Sequence, residues 1–145
     1  MISKAGIDFI CSYEGFNAKP YFDIVGVPTI GYGSTHYSNN KRVSIDDAPI
    51  TIDAAKELVK WYISSNIEPH IKTLNLKQNE YDAVCSFIYN LGISNFNSSS
   101  LKKSIINKGS KQDITANFLK WNKAGGKVVN GLTLRRQAEV KLYFL

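Results

Sequence analysis

The stretch from Gly15 to Asp47 sets the strongest limit on the fold. It carries Gly15, Gly26, Gly31, Gly33, Pro20 and Pro28, with the β-forming residues Tyr21, Phe22, Val25, Val27, Thr29, Ile30 and Tyr32 between them. Glycine and proline at this density interrupt helical periodicity and punctuate short extended runs, so the stretch reads as a small sheet or hairpin. On both sides the pattern turns helical. Ile7, Ile10 and Cys11 recur at i, i+3, i+4 and predict a first helix over about Ser3 to Tyr13. Thr51 reads as an N-cap with Asp53 in the first turn. Ala55, Leu58, Val59, Tyr62 and Ile63 then form one stripe, predicting a helix from about Ile52 toward Pro69. A further strong helix is expected over Lys77 to Leu91, closed by Gly92, with shorter ones near Ser99 to Asn107, Asp113 to Trp121 and Leu132 to Leu145.

One short β segment flanked by helices is an α+β pattern. The 145 residues are enough for one domain with a real core, and no repeat or composition shift divides them. The expected organisation is a single domain over residues 1–145. A β-containing lobe covers about 15–50, and a larger helical lobe covers about 70–145 together with the N-terminal helix.

The net charge of +6 favours polyanionic partners: nucleic acid, an anionic membrane face or an acidic polymer such as the cell wall. It is equally compatible with a mildly basic protein that has no such partner. The lysines are scattered rather than striped along one helix and no nucleic-acid motif is present, which argues against nucleic acid. Cys11 and Cys85 lack C-x-x-C spacing, and Cys85 sits in an apolar run, so both are expected as buried free thiols. Two histidines are too few for a metal cluster, and no cofactor is expected. The N-terminus lacks the basic region and long apolar run of a signal peptide, and no window is long enough to span a bilayer. Synthesis as a soluble cytoplasmic protein is the expectation.

Glu14 falls where the first helix should end, one turn beyond Ile10 and Cys11. Apolar surroundings and the negative end of a helix dipole both disfavour a carboxylate there, which suits a general acid. Asp23 lies in a polar, turn-rich segment where it should stay ionised. Two carboxyls in contrasting environments are the minimal equipment for glycoside hydrolysis. Thr29 follows across the turn at Gly26, where a strand–turn–strand would bring its hydroxyl near Asp23 so that the two could hold one water. Taken alone, a carboxyl at a helix end and another in a loop are also ordinary surface charges.

The surrounding residues carry a resemblance. Glu14-Gly15, Tyr21-Phe22-Asp23 and Gly26-Val27-Pro28-Thr29-Ile30-Gly31-Tyr32-Gly33-Ser34-Thr35 resemble the active-site stretch of phage-type lysozymes, glycoside hydrolase family 24. That family separates its Glu, Asp and Thr by eight and then five residues, as here. Asp82 through Gly92 is similar to the family's buried helix ending in Asn-Leu-Gly. Phe118-Leu119-Lys120-Trp121, Gly125-Gly126-Lys127 and Gly131-Leu132 leading to Arg135, Arg136 and Glu139 resemble its C-terminal section. One departure stands out: many members carry His where this chain has Ser34, and the nearest histidine is His36.

The resemblance implies a lysozyme-like fold and an enzyme that cleaves the β-1,4 bond between N-acetylmuramic acid and N-acetylglucosamine in bacterial peptidoglycan, without metal or cofactor. Glu14, Asp23 and Thr29 would be the catalytic groups, and Arg135, counted with Asn90 and Tyr32 on the substrate-binding side, would reach back to Glu14; taken alone, Arg135 and Arg136 also read as a solvated basic face. A guanidinium there lowers a carboxyl pKa while burial raises it, so the sign of the net effect stays open. Asn90 is a candidate for bonding sugar groups, or a plain C-capping residue. Tyr32 and Trp121 are candidates for sugar stacking, or core aromatics. Gly125-Gly126-Lys127 reads as a flexible turn. A monomer is expected, reaching the wall from the host cytoplasm once the membrane has been permeabilised.

Overall fold

A computed structural model describes all 145 residues. Helix α1 (Lys4–Glu14) starts at Ser3, whose hydroxyl accepts from Gly6 N. That hydroxyl donates in turn to Asp82, so the cap of α1 is anchored far along the chain. Strands β1 (Asn17–Phe22) and β2 (Pro28–Gly31) then form an antiparallel pair, with Tyr21 opposite Thr29 and Phe22 opposite Pro28. Gly31 closes the hairpin at φ 66°, and a Cβ placed there would lie 2.9 Å from Ala55 Cβ. Only glycine meets both demands, the left-handed backbone and the close approach to the next helix.

Helix α2 (Ile52–Tyr62) is capped by the Thr51 side chain, which accepts from Ala54 N. The expected continuous helix to Pro69 is instead broken in three: α2, a π-helical turn over Ile63–Ile67, and α3 (Glu68–Ile71). Pro69 has no N–H to give and its ring crowds the carbonyl four residues back. The wider π turn just ahead lets the helical path continue past it. Ile63, Ile67 and Ile71 stay buried throughout.

Helix α4 (Gln78–Leu91) is the centre of the molecule, with every residue from Tyr81 to Ile88 buried. A helix buried all round needs apolar neighbours on every side. These come from α1, α5 (Ile93–Ser98), α6 (Ser100–Ile106), α7 (Lys111–Leu119) and α8 (Asn130–Tyr143). Phe87 of α4 meets Phe96, Phe118 and Trp121 edge-on, at ring separations of 6.1, 5.6 and 5.7 Å. A smaller cluster of Ile30, Val43 and Leu58 fastens the hairpin to α2. Between α7 and α8, strands β3 (Lys123–Ala124) and β4 (Lys127–Val128) form a second hairpin around Gly125-Gly126. The expected α+β class is therefore the observed one. Both cysteines are buried and unpaired. No helix is long and apolar enough to cross a membrane.

Candidate active site

Glu14 is the last residue of α1, and only Gly15 and Phe16 separate it from β1. Its carboxyl therefore stands where helix and hairpin meet. Oε1 accepts a hydrogen bond from Arg135 Nη1 at 2.6 Å, with the Arg135 side chain buried and that of Glu14 20% exposed. Arg135 also lies over the Tyr13 ring, 5.3 Å from its centre, and donates from Nη2 to Ser86 O at 3.3 Å.

Behind Arg135 lies a wholly buried carboxylate, Glu139. Its Oε1 accepts from Ser86 Oγ at 2.7 Å, Arg136 Nη2 at 2.8 Å and, at longer range, Arg135 Nε at 3.4 Å. Oε2 lies 2.7 Å from Arg136 Nε, out of line for a hydrogen bond. Arg136 continues to Asn90 Oδ1 at 2.9 Å and covers the Phe87 ring at 5.2 Å. Burial pushes the Glu139 carboxyl up, opposed by Arg136, Ser86 and Arg135. Burial pushes Arg136 down, opposed by Glu139.

Asp23 is fixed by the chemistry of its turn. Asp23 N donates to Val27 O, Gly26 N donates to Asp23 O, and Asp23 Oδ1 accepts from the amides of Val25 at 2.9 Å and Val27 at 2.8 Å. Gly26, at φ 83°, completes the three-residue loop, a type that ends in a left-handed residue. This leaves Asp23 Oδ2 without a protein partner. Thr29, 3% exposed, donates its hydroxyl to Val27 O at 2.9 Å. Tyr21 is opposite Thr29 and Asp23 lies two residues beyond Tyr21, so Asp23 and Thr29 share one face of the hairpin as diagonal neighbours. No hydrogen bond joins them directly. The common face follows from register, as the strand–turn–strand reading expected.

A pocket of about 280 Å³ opens beside Glu14, lined by Glu14, Gly33, Ser34, Thr35, His36, Tyr62 and Tyr89. Tyr62 and Tyr89 meet edge-on at 5.6 Å and form an aromatic wall. Tyr89 also donates its hydroxyl to Tyr32 O at 2.8 Å, which ties α4 to the segment after β2. Ser34, at the position where His is common, is buried with no hydrogen-bond partner for its hydroxyl, while His36 Nδ1 contacts Thr35 Oγ1 at 2.9 Å. No group of three or more His, Cys, Asp or Glu side chains is arranged to hold a metal ion.

The sugar-stacking candidates take other places. Tyr32 is only 8% exposed, with its ring on Phe16 at 5.5 Å, and Trp121 packs on Phe87. Tyr32 belongs to the core, and Trp121 is partly buried with its ring packed against the core. Tyr62 and Tyr89 are the aromatics that sequence reasoning missed. In the sequence Tyr62 reads as part of the apolar stripe of α2, yet it stands 43% exposed at the helix end. Asn90 does not cap α4 with its side chain; its Oδ1 serves Arg136 and its Nδ2 has no protein partner. Arg135 pairs with Glu14 as the resemblance implies, and neither Arg135 nor Arg136 forms a solvated basic face, because both are buried against carboxylates.

The phage lysozyme family model matches residues 11–139. The endolysin of Bacillus phage B103 is 38% identical over 149 residues, an alignment covering 98% of this chain and 53% of that protein, so this chain spans about half the length of that relative. The endolysin of Salmonella phage P22 is 37% identical over 145 residues, covering 98% of this chain and 97% of that one. The crystal structure of a P22 lysozyme mutant superposes with a TM-score of 0.87 at 35% identity, covering 100% of this chain and 99% of the other. The α+β fold is thus the lysozyme-like one expected. With the family model running from α1 into α8 and a lysozyme structure matched from end to end, this chain belongs to the phage lysozyme family.

Proposed function

We propose that this chain is an endolysin. It hydrolyses the β-1,4 bonds between N-acetylmuramic acid and N-acetylglucosamine in bacterial peptidoglycan, causing lysis of the host cell. The observation that carries this reading is the division of labour at Glu14: Oε1 is engaged by Arg135, while Oε2 has no protein partner and the carboxyl lines the pocket. Glu14 delivers a proton from Oε2 to the leaving glycosidic oxygen. On the opposite side of the sugar, a water sits between Asp23 Oδ2 and Thr29 Oγ1. Asp23 takes its proton as the water oxygen bonds to the anomeric carbon and the glycosidic bond breaks. The Thr29 hydroxyl proton is already placed on Val27 O, so its oxygen is free to accept from that water.

Tyr62 and Tyr89 offer ring faces to a pyranose, and Asn90 Nδ2 is a free donor on the same helix as Tyr89. The positive surplus of the chain suits a substrate bearing lactyl and peptide carboxylates. In this reading residues 1–145 act as one lysozyme-like domain, as a monomer without metal or cofactor. The protein is made in the host cytoplasm and meets the wall after the membrane is breached.

Glu14→Gln tests the assignment. It keeps size and polarity but has no proton to give, and general acid help is worth about a hundred- to ten-thousand-fold. Turbidity loss of outer-membrane-permeabilised bacteria should nearly vanish, with circular dichroism unchanged. A folded variant lysing cells at above about a tenth of the wild-type rate would remove Glu14 from the acid's role.

A further inference from the structure

The pairing at Glu14 does not end at Arg135. Glu14, Arg135, Glu139 and Arg136 form one chain of contacts at 2.6, 3.4 and 2.8 Å, alternating in sign and summing to zero charge. We propose that Glu139 is a positioning residue for the reaction: a buried counter-charge that shares Arg135 with Glu14 and thereby lets Glu14 take up the proton it delivers. This rests on the reading of Glu14 as the acid.

Stability alone does not account for the cluster. Replacing buried ion pairs by well-packed apolar groups is commonly neutral or stabilising. Here two guanidinium groups and a carboxylate are removed from water in the centre of the molecule. The cluster is also directional. Glu139 reaches no part of the pocket, yet it contacts the one arginine that touches Glu14. The other titratable groups around Glu14 are Tyr13 and Cys11 from α1, Tyr62 from α2, His36 from the segment after β2, Tyr89 from α4 and Arg136 from α8. Among these, Arg135 and Arg136 carry the full positive charges, and Glu139 is the carboxylate that contacts both and offsets one of them. Without it, two guanidinium groups would face the single carboxylate of Glu14.

Glu139→Gln removes the charge and keeps the shape. A unit charge acting across a guanidinium at an effective dielectric near 20 shifts a carboxyl by about one pH unit. The alkaline limb of the kcat profile on purified peptidoglycan should therefore move down by about one pH unit, lowering kcat by up to about tenfold along that limb while KM stays near wild type. The double variant R136Q/E139Q restores neutrality around Arg135 and Glu14, so its limb should return toward wild type even though more hydrogen bonds are lost. Glu139→Asp, which keeps the charge, should also keep the limb in place. A purely structural role predicts the opposite order, with the double variant worse than the single.

Circular dichroism and thermal melting establish folding for each variant. If E139Q does not fold, the double variant and Glu139→Asp carry the test. A folded E139Q with the wild-type limb and kcat overturns the proposal. So does a double variant slower than E139Q, or a limb in Glu139→Asp or the double variant displaced by about one unit. Glu14→Gln, run alongside, separates the two ideas. If it retains activity, the acid assignment fails; if it is inactive and the charge series is flat, only the role of Glu139 fails.

Discussion

Gly6→Ala is expected to destabilise the protein although it places a better helix former inside a helix. In an open helix the change would gain about 1 kcal/mol. Here a Cβ on Gly6 would lie 2.6 Å from Asp82 Cγ, 2.7 Å from Asp82 Oδ1 and 2.9 Å from Ile2 Cγ1. Asp82 is buried and cannot retreat without loosening its grip on the start of α1, where it accepts from Ser3 N at 3.0 Å and Ser3 Oγ at 2.5 Å. Gln78 Nε2 is its third donor, at 2.9 Å. Hydrogen bonds to a charged acceptor contribute about 1.5–3 kcal/mol each. The half-exposed Ser3 places its two near the lower end, roughly 3 kcal/mol together. Subtracting the helix gain leaves a net loss of about 2 kcal/mol, or roughly 6–8 °C in Tm for a chain of this size. Thermal denaturation followed by circular dichroism reads this directly. In an Asp82→Ala background only the 2.9 Å contact with Ile2 Cγ1 remains, so Gly6→Ala should cost clearly less there than in the wild-type background. A Tm for Gly6→Ala at or above wild type, or the same loss in both backgrounds, would refute the steric argument. The same helix carries Glu14, the proposed acid, at its far end.

Burial pushes the Cys11 thiol up to about 11 and the Cys85 thiol higher still. Both should resist iodoacetamide in the native protein near neutral pH, and two thiols per chain should react after unfolding without reductant; rapid native labelling, or a count near zero, would contradict this. The Ser44 amide and the Tyr37 hydroxyl hold the Asp47 carboxyl below its usual range. A carboxyl lower in the folded than in the unfolded state stabilises above its unfolded value, near 4, and that contribution fades as pH falls through the folded value. Asp47→Asn should therefore lose less Tm than wild type on acidification below about pH 4, and parallel curves would exclude the effect.

Local patterns revealed most of the helices because their signals are local. Thr51 and Asp53 mark the start of α2, and Gly92 marks the end of α4. What escaped depends on distant partners. Helix α5 has the sequence Ile-Ser-Asn-Phe-Asn-Ser, poor in helix formers, and is held by fully buried Phe96 against Phe87. Gly125-Gly126 reads as a flexible turn, yet it ties a short hairpin, with φ of 57° and 77°. At the site, the spacing of Glu14, Asp23 and Thr29 and the resemblance around it were legible because one helix end and one hairpin carry all three. The aromatic wall was not, since Tyr62 and Tyr89 lie on different helices and meet only in the fold. Nor was the load on Glu139, whose partners Ser86 and Arg135 lie on α4 and α8.

The most direct test of the central claim is the anomeric configuration of the first product, read by proton NMR before mutarotation as the enzyme cleaves a glycan of alternating N-acetylglucosamine and N-acetylmuramic acid. In the proposed mechanism a water held between Asp23 and Thr29 would attack from the face opposite the leaving group, which needs a separation of about 6.5–9.5 Å between acid and base carboxyls rather than the 5–5.5 Å of a retaining pair. Cleavage of a β-1,4 bond should then release the α-anomer first. Product appearing first as the β-anomer would mean a covalent or otherwise retaining route, and the water-activating role given to Asp23 and Thr29 would have to be abandoned.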